Sequence, residues 1–164
     1  MSADVEGEIP DTSALAALAY ELSLRTLGQQ EAAVNELRAR TGTLIAAASI
    51  VTSFLGGAAF TRAGLDGWSI VALVAFTASI ASATWVLLPK EKLIFSVQGS
   101  TLYEGEIEAD VFSIGETHRR LAYWLDGFQR DNEPKLDGLY GWYRLATVAL
   151  LVEVAFWSLQ LALS

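Results

Sequence analysis

Three runs of uncharged, apolar residues, each about as long as a lipid hydrocarbon core is thick, constrain this chain more than any other feature. The first, Thr43 to Phe60 (TLIAAASIVTSFLGGAAF), lies in a stretch free of Asp, Glu, Lys and Arg between Arg40 and Arg62. The second, Gly67 to Leu88 (GWSIVALVAFTASIASATWVLL), closes at Pro89 and Lys90, where a helix cannot easily continue. The third, Leu145 to Leu163 (LATVALLVEVAFWSLQLAL), carries one ionisable residue, Glu153. An α-helix rising about 1.5 Å per residue needs roughly 20 residues to cross a core of about 30 Å. Each run therefore reads as a membrane span, and the short link Thr61 to Asp66 makes the first two a hairpin.

Composition agrees: 52% of the 164 residues are hydrophobic and 18% charged, too apolar for a soluble domain of this size. The apolar residues are also gathered into blocks, whereas a soluble helix sets one apolar stripe beside a polar one. The start, with Asp4, Glu6, Glu8 and Asp11 and no early Lys or Arg, lacks the basic region of a cleavable signal peptide. There is no cysteine, which excludes disulfides, thiolate nucleophiles and Cys-based zinc sites. A formal charge of −8 argues against nucleic acid as a partner, because neutralising phosphates requires a basic face.

The expected fold is an all-α membrane protein with three transmembrane helices and a small cytoplasmic helical bundle. Residues 1–11 read as a flexible acidic tail. Residues 12–42 read as an amphipathic helix, with Leu15, Leu18 and Leu22 on one stripe that Leu27, Val34 and Leu37 continue after a register change near Gly28. Residues 43–88 form the transmembrane hairpin (43–60 and 67–88), 89–144 a second cytoplasmic helical segment, and 145–163 the third span. Leu93 to Val97 is too short to span and reads as interfacial or extended. A helix is expected from about Ser113 or Glu116, ending at Asp131 and Asn132, with Pro134 in the first turn of a new one. Basic residues flank the spans unevenly. Arg38, Arg40, Lys90, Lys92, Arg130, Lys135 and Arg144 lie on one side and Arg62 alone on the other, which places the N-terminus in the cytoplasm and Ser164 outside the inner (plasma) membrane. Trp142 and Tyr143 fall at the inner end of the third span, and Phe60 and Trp68 at the outer turn.

Few residues suggest a site. Glu153 is the one ionisable group inside a span, where an isolated charge is costly. Copies of it could line a cation path in an oligomer; alternatively, a protonated carboxyl could bond a hydroxyl such as Thr52, Ser53, Ser79 or Ser82 and lock the helices together. Ser49, Ser53 and Gly57, and likewise Ala75, Ser79 and Ala83, repeat every four residues. Small residues at that spacing let helices approach closely, within one chain or between copies. Tyr123, Trp124 and Phe128 are candidate anchors for a protein partner. His118 is the sole histidine and reads as part of a solvated face. Glu104, Glu106, Glu108 and Asp110 alternate without calcium-loop spacing. Gly56-Gly57 sits in an apolar helix and cannot cradle a phosphate, and no nucleophile motif occurs. No cofactor or metal is implied, and an enzyme is disfavoured.

The stretch from Arg40 through Leu44-Ile-Ala-Ala-Ala-Ser-Ile-Val to Gly56-Gly57, the Leu87-Leu-Pro-Lys90 exit, and Asn132, Leu136 and Leu139 leading into Glu153-Val-Ala-Phe-Trp157 resemble small membrane proteins of actinobacteria. The layout, a cytoplasmic helix followed by a transmembrane hairpin and more cytoplasmic helix, also resembles the SLATT group of bacterial membrane effectors, to whose two spans this chain adds a third. That resemblance implies a pore-forming partner of a nucleotide-signalling conflict system. Three readings follow in order: an interaction or scaffold module of the inner membrane with a cytoplasmic protein partner; a homo-oligomeric pore with Glu153 at subunit contacts; and a small transporter, for which three spans without a broken helix leave little room.

Overall fold

A computed structural model describes residues 12–89, 93–95 and 113–163. The acidic start, the series Glu104 to Asp110, and Lys90, Lys92 and Ser164 lie outside the described residues. Four α-helices account for nearly all of what is described: α1 (Thr12–Val51), α2 (Gly57–Ala63), α3 (Gly67–Leu87) and α4 (Ile114–Leu163), with a π-helical turn, Thr52–Gly56, joining α1 to α2. Three helical stretches, Thr12–Arg62, Gly67–Leu87 and Ile114–Leu163, are long and apolar enough to cross a membrane. The chain divides into two compact units, one of residues 1–32 and 92–133, the other of residues 33–91 and 134–164.

In the first unit α1 and α4 run parallel. Gly115 abuts Ser13, with room for a Cβ only 3.2 Å from the Ser13 Cα. The Tyr20 ring stacks on His118 at 5.4 Å, and Ser23 donates to Asp126 at 2.6 Å. Gln30 donates to the Gln129 carbonyl at 3.2 Å. Leu27, Leu121, Ala122 and Leu125 are the buried apolar residues along this seam. Ser113 accepts from the Glu116 N–H at 3.4 Å and so caps α4. His118, expected on a solvated face, is half-covered by Tyr20, and its Nδ1 is buried without a hydrogen-bond partner.

The break expected at Asp131 and Asn132 does not occur, and Pro134 lies inside α4, where its missing N–H removes one bond to the carbonyl of Arg130. Asn132 is not a helix breaker because its side chain is buried and engaged elsewhere. Its Nδ2 donates to the Ile94 carbonyl at 2.8 Å, and its Oδ1 accepts from the Ile94 N–H at 3.3 Å. That pair imitates a strand-like pairing and holds the non-helical segment Leu93 to Phe95 against α4. The boundaries drawn at 42/43 and 144/145 likewise fall inside continuous helices.

The stripe from Leu15 through Leu22 is not the buried face of α1. Leu15, Leu18 and Leu22 are each more than half exposed, whereas Ser23, Leu27, Val34, Leu37, Thr41, Leu44 and Ala48 are buried, with Gln30 half-buried between them. These positions advance in alternating steps of four and three, the seam spacing of helices that interlock side chains over many turns. On α4 the positions Asn132, Leu136, Leu139, Tyr143, Ala146, Leu150, Glu153, Trp157 and Gln160 advance the same way. No register change occurs near Gly28, because polar Ser23 and Gln30 occupy seam positions that hydrophobicity alone would not assign.

In the second unit α1 and α4 are again parallel and α3 is antiparallel to both. Leu44, Ala83 and Ala146 form one buried cluster, and Ala59, Ala72 and Trp157 another. The hairpin turns at Gly64, whose φ of 69° is strained for any residue with a side chain. Asp66 then caps α3, accepting from the Ser69 N–H at 2.9 Å. Replacing Asn132 by Ala should lower stability by about 1–3 kcal/mol and speed amide exchange at Ile94. Thermal unfolding and hydrogen exchange of the solubilised protein measure both, and unchanged exchange at Ile94 would contradict the pairing.

Candidate functional site

Within the second unit several polar side chains point inward. Glu153 is 0% exposed and Gln160 1%, and each joins α4 to another helix. The Thr52 hydroxyl donates to Glu153 Oε1. One turn further on, Trp157 is 3% exposed and lies over Gly56, where an added Cβ would sit 3.0 Å from the indole Cζ2. Another turn on, Gln160 accepts from the Ser69 hydroxyl at 3.0 Å and donates through Nε2 to the Gly64 carbonyl at 3.3 Å. Below Glu153, the Ser79 hydroxyl donates to the Ala146 carbonyl at 2.9 Å. Ser79 and Gln160 thus join α4 to the α3 side of the hairpin, and Thr52 joins it to the α1 side.

The π turn explains how Thr52 and Gly56 both come to face α4. Seam positions on α1 advance by three or four up to Ala48, after which regular continuation would present Val51 and Leu55. The π turn Thr52–Gly56 takes up one extra residue, so that Ala48, Thr52, Gly56 and Ala59 follow in steps of four, four and three. A hydroxyl meets the carboxyl and a glycine meets the indole, while Val51 and Leu55 pack beside Trp157 at the edge of the cluster. Glu153 Oε2 and Trp157 Nε1 are both buried; neither makes a hydrogen bond of regular geometry, but the indole N–H lies close enough to act on the carboxyl. They are an acceptor and a donor one helical turn apart on the same face of α4.

Of the hydroxyls expected to meet Glu153, Thr52 does so; Ser79 bonds Ala146 instead, and Ser53 is exposed and bonds the Ser49 carbonyl of its own helix at 2.7 Å. Ala75, Ser79 and Ala83 are buried in helix packing. Ser49, Ser53 and Gly57 are not: all three are exposed, and Gly57 has open space where a Cβ would be. The packing face of α1 is one position back, at Ala48, Thr52 and Gly56, and four-residue spacing alone does not tell the two faces apart. Tyr123 is 68% exposed and Trp124 39%, with Phe128 half-buried. Gln160 was not singled out from the sequence, although its position seven residues after Glu153 was a usable signal.

Among the described residues no group of three His, Cys, Asp or Glu is placed to hold a metal. What the centre does is join helices in a specific register. Comparisons of the chain with protein-family models, with curated proteins and with solved structures found no match.

Two outcomes follow. Gly56→Ala should destabilise by about 1–3 kcal/mol, the range for overpacking a filled interior, read from the unfolding midpoint in detergent. A double-mutant cycle of Thr52→Val with Glu153→Gln should give a coupling of about 1 kcal/mol, near the range found for hydrogen bonds between helices in membranes; additive losses would show that the two side chains do not act together.

Proposed function

We propose that this protein is a three-span membrane protein with its N-terminus in the cytoplasm, serving as an interaction or scaffold module rather than an enzyme. The observation that carries the membrane part is the inverted distribution of side chains in the unit of residues 33–91 and 134–164. Its buried residues include Thr41, Ser69, Ser79, Ser82, Glu153 and Gln160, while Phe54 (74% exposed), Val74 (64%), Leu151 (63%) and Val148 (56%) face outward. Water would penalise that arrangement and lipid favours it, since polar side chains in a bilayer turn to one another. Aromatic pairs mark two levels: Trp68 with Phe156 at 5.6 Å and Trp85 with Trp142 at 6.0 Å. Trp68 and Trp85 are 17 positions apart on α3, roughly 26 Å at about 1.5 Å per residue, close to the separation of the two interfacial belts.

The parallel course of α1 and α4, with α3 antiparallel, supports threading from one side, and Arg38, Arg40, Lys135 and Arg144 against Arg62 support a cytoplasmic start. The interaction part rests on Leu15, Leu18 and Leu22, exposed on α1 outside the apolar spans, and on Tyr123 and Trp124 on α4. A second reading, assembly of copies into a pore, is favoured by the exposed small-residue face Ser49, Ser53 and Gly57, along which helices of separate chains could approach. In such an assembly Glu153 remains enclosed within each chain and acts in packing.

The chain has no cysteine, so single replacements report without background. A membrane-impermeant maleimide applied to intact cells should label Thr61→Cys and leave Thr26→Cys unlabelled until the cells are opened; the reverse pattern would overturn the orientation. A photoreactive residue at position 18 should yield a discrete adduct with a different protein, and the same residue at position 148 should not. Adducts with itself alone, together with a closed oligomer by light scattering in nanodiscs, would replace the scaffold reading by the pore.

A further inference from the structure

We propose that the groove between α1 and α4 in the second unit, formed by Glu36, Leu37, Arg40, Tyr140, Tyr143 and Arg144, binds a phosphate ester group, such as the headgroup of an anionic phospholipid. The groove encloses a cavity of about 360 Å³, enough for a phosphate and the glycerol attached to it. It presents two guanidiniums, the side chains best matched to phosphate oxygens because each can donate two parallel N–H bonds. Arg144 makes no hydrogen bond or ion pair with any described residue and is exposed. Arg40 is paired with Glu36, one turn back on the same helix. Both side chains of that pair are more than 60% exposed, so the pair is weak and an anionic phosphate can draw Arg40 away from it. With Glu36 counted, the groove carries one net positive charge, and the hydroxyls of Tyr140 and Tyr143 supply two further donors.

Depth selects the ligand class. Arg40 is the last charged residue before the uncharged stretch 41–61, and Arg144 the last before the apolar stretch 145–152, so both guanidiniums stand where the polar and apolar surfaces meet. Tyr143 links the levels, lining the groove and packing on the buried cluster Leu44, Ala83 and Ala146 beneath it. Trp85 and Trp142 pair at the same end of the unit. On the apolar side, Leu145, Val148, Leu151 and Val152 of α4 are exposed and offer a track for an acyl chain. A ligand with phosphate above and hydrocarbon below satisfies both surfaces, and basic pockets between helices on the cytoplasmic side are suited to lipid headgroups. The lipid source rests on the membrane reading above; a free phosphate would use the same guanidiniums without the track.

The test uses the full chain in nanodiscs of equal parts phosphatidylglycerol and phosphatidylcholine, ejected into a native mass spectrometer, with a parallel sample in detergent containing inorganic phosphate. Retention of phosphatidylglycerol over phosphatidylcholine, reduced about tenfold by Arg144→Gln, reduced also by Arg144→Lys and unchanged by Arg62→Gln, supports a lipid site. A phosphate adduct in detergent, lost in Arg144→Gln and without lipid preference in the nanodisc, supports the same site with a soluble ligand. Insertion with neither adduct, or equal retention by wild type and Arg144→Gln, overturns the groove and leaves the membrane reading standing. Failure to enter the nanodisc at all overturns both.

Discussion

Glu153 accepts a hydrogen bond from the Thr52 hydroxyl, and the path of the first helix depends on that contact being made. A carboxyl with no exposed surface needs a polar neighbour, since an unmade hydrogen bond in an apolar interior costs more than a made one contributes. The seam of α1 would carry Val51 to that level; the π turn carries Thr52 instead. The same single-residue shift brings Gly56 under Trp157, whose ring needs a neighbour without a side chain. Two requirements one turn apart, a donor for the carboxyl and space for the indole, are met by one local widening of the helix. A straight α-helix could meet neither without turning the seam below Ala48 away from α4.

The two units solve the same packing problem with different polar chemistry. In the first, the contacts between α1 and α4 are polar: Ser23 with Asp126, Gln30 with the Gln129 carbonyl, and Asn132 with Gln30, beside pairs within α4 such as Arg119 with Glu116 at 2.7 Å. In the second, between the two aromatic pairs, the links between helices are Ser, Thr, Gln and one carboxyl, and the basic residues Arg40, Arg62 and Arg144 lie outside that stretch. That change of vocabulary along two continuous helices tracks what each unit can expose. The first unit pairs Arg119 with Glu116 at its surface, and the second exposes Phe54 and Val74.

Much of this was legible in the sequence. Uncharged runs identify the three long apolar helices because charge is so costly in lipid that its absence over some 20 residues is informative; Glu153 stood out for the same reason. Helix faces were harder to read. In a span almost every residue is apolar or small, so the periodicity that marks a buried stripe in a soluble helix disappears, and the face of Ser49, Ser53 and Gly57 could not be told from that of Ala48, Thr52 and Gly56. Nor does any propensity mark a π turn, which follows from the fit of α1 against α4. In the first unit the error ran the other way. Leu15, Leu18 and Leu22 form a good stripe that the chain leaves exposed, and Ser23, Gln30 and Asn132 lie in a seam because each finds a hydrogen bond there.

The exposed leucines and the enclosed carboxyl bear together on where this chain can act. Glu153 has no exposed surface and accepts from Thr52, so its carboxyl is part of the helix packing of its own unit. The outward-facing positions include leucines at the start of α1, the small residues Ser49, Ser53 and Gly57, and the guanidinium of Arg144. With the Glu153 carboxyl bonded to Thr52 and the Trp157 indole seated on Gly56 one turn away, the polar group and the large ring together fix how α4 meets the first helix, and neither could be moved alone without losing the other contact.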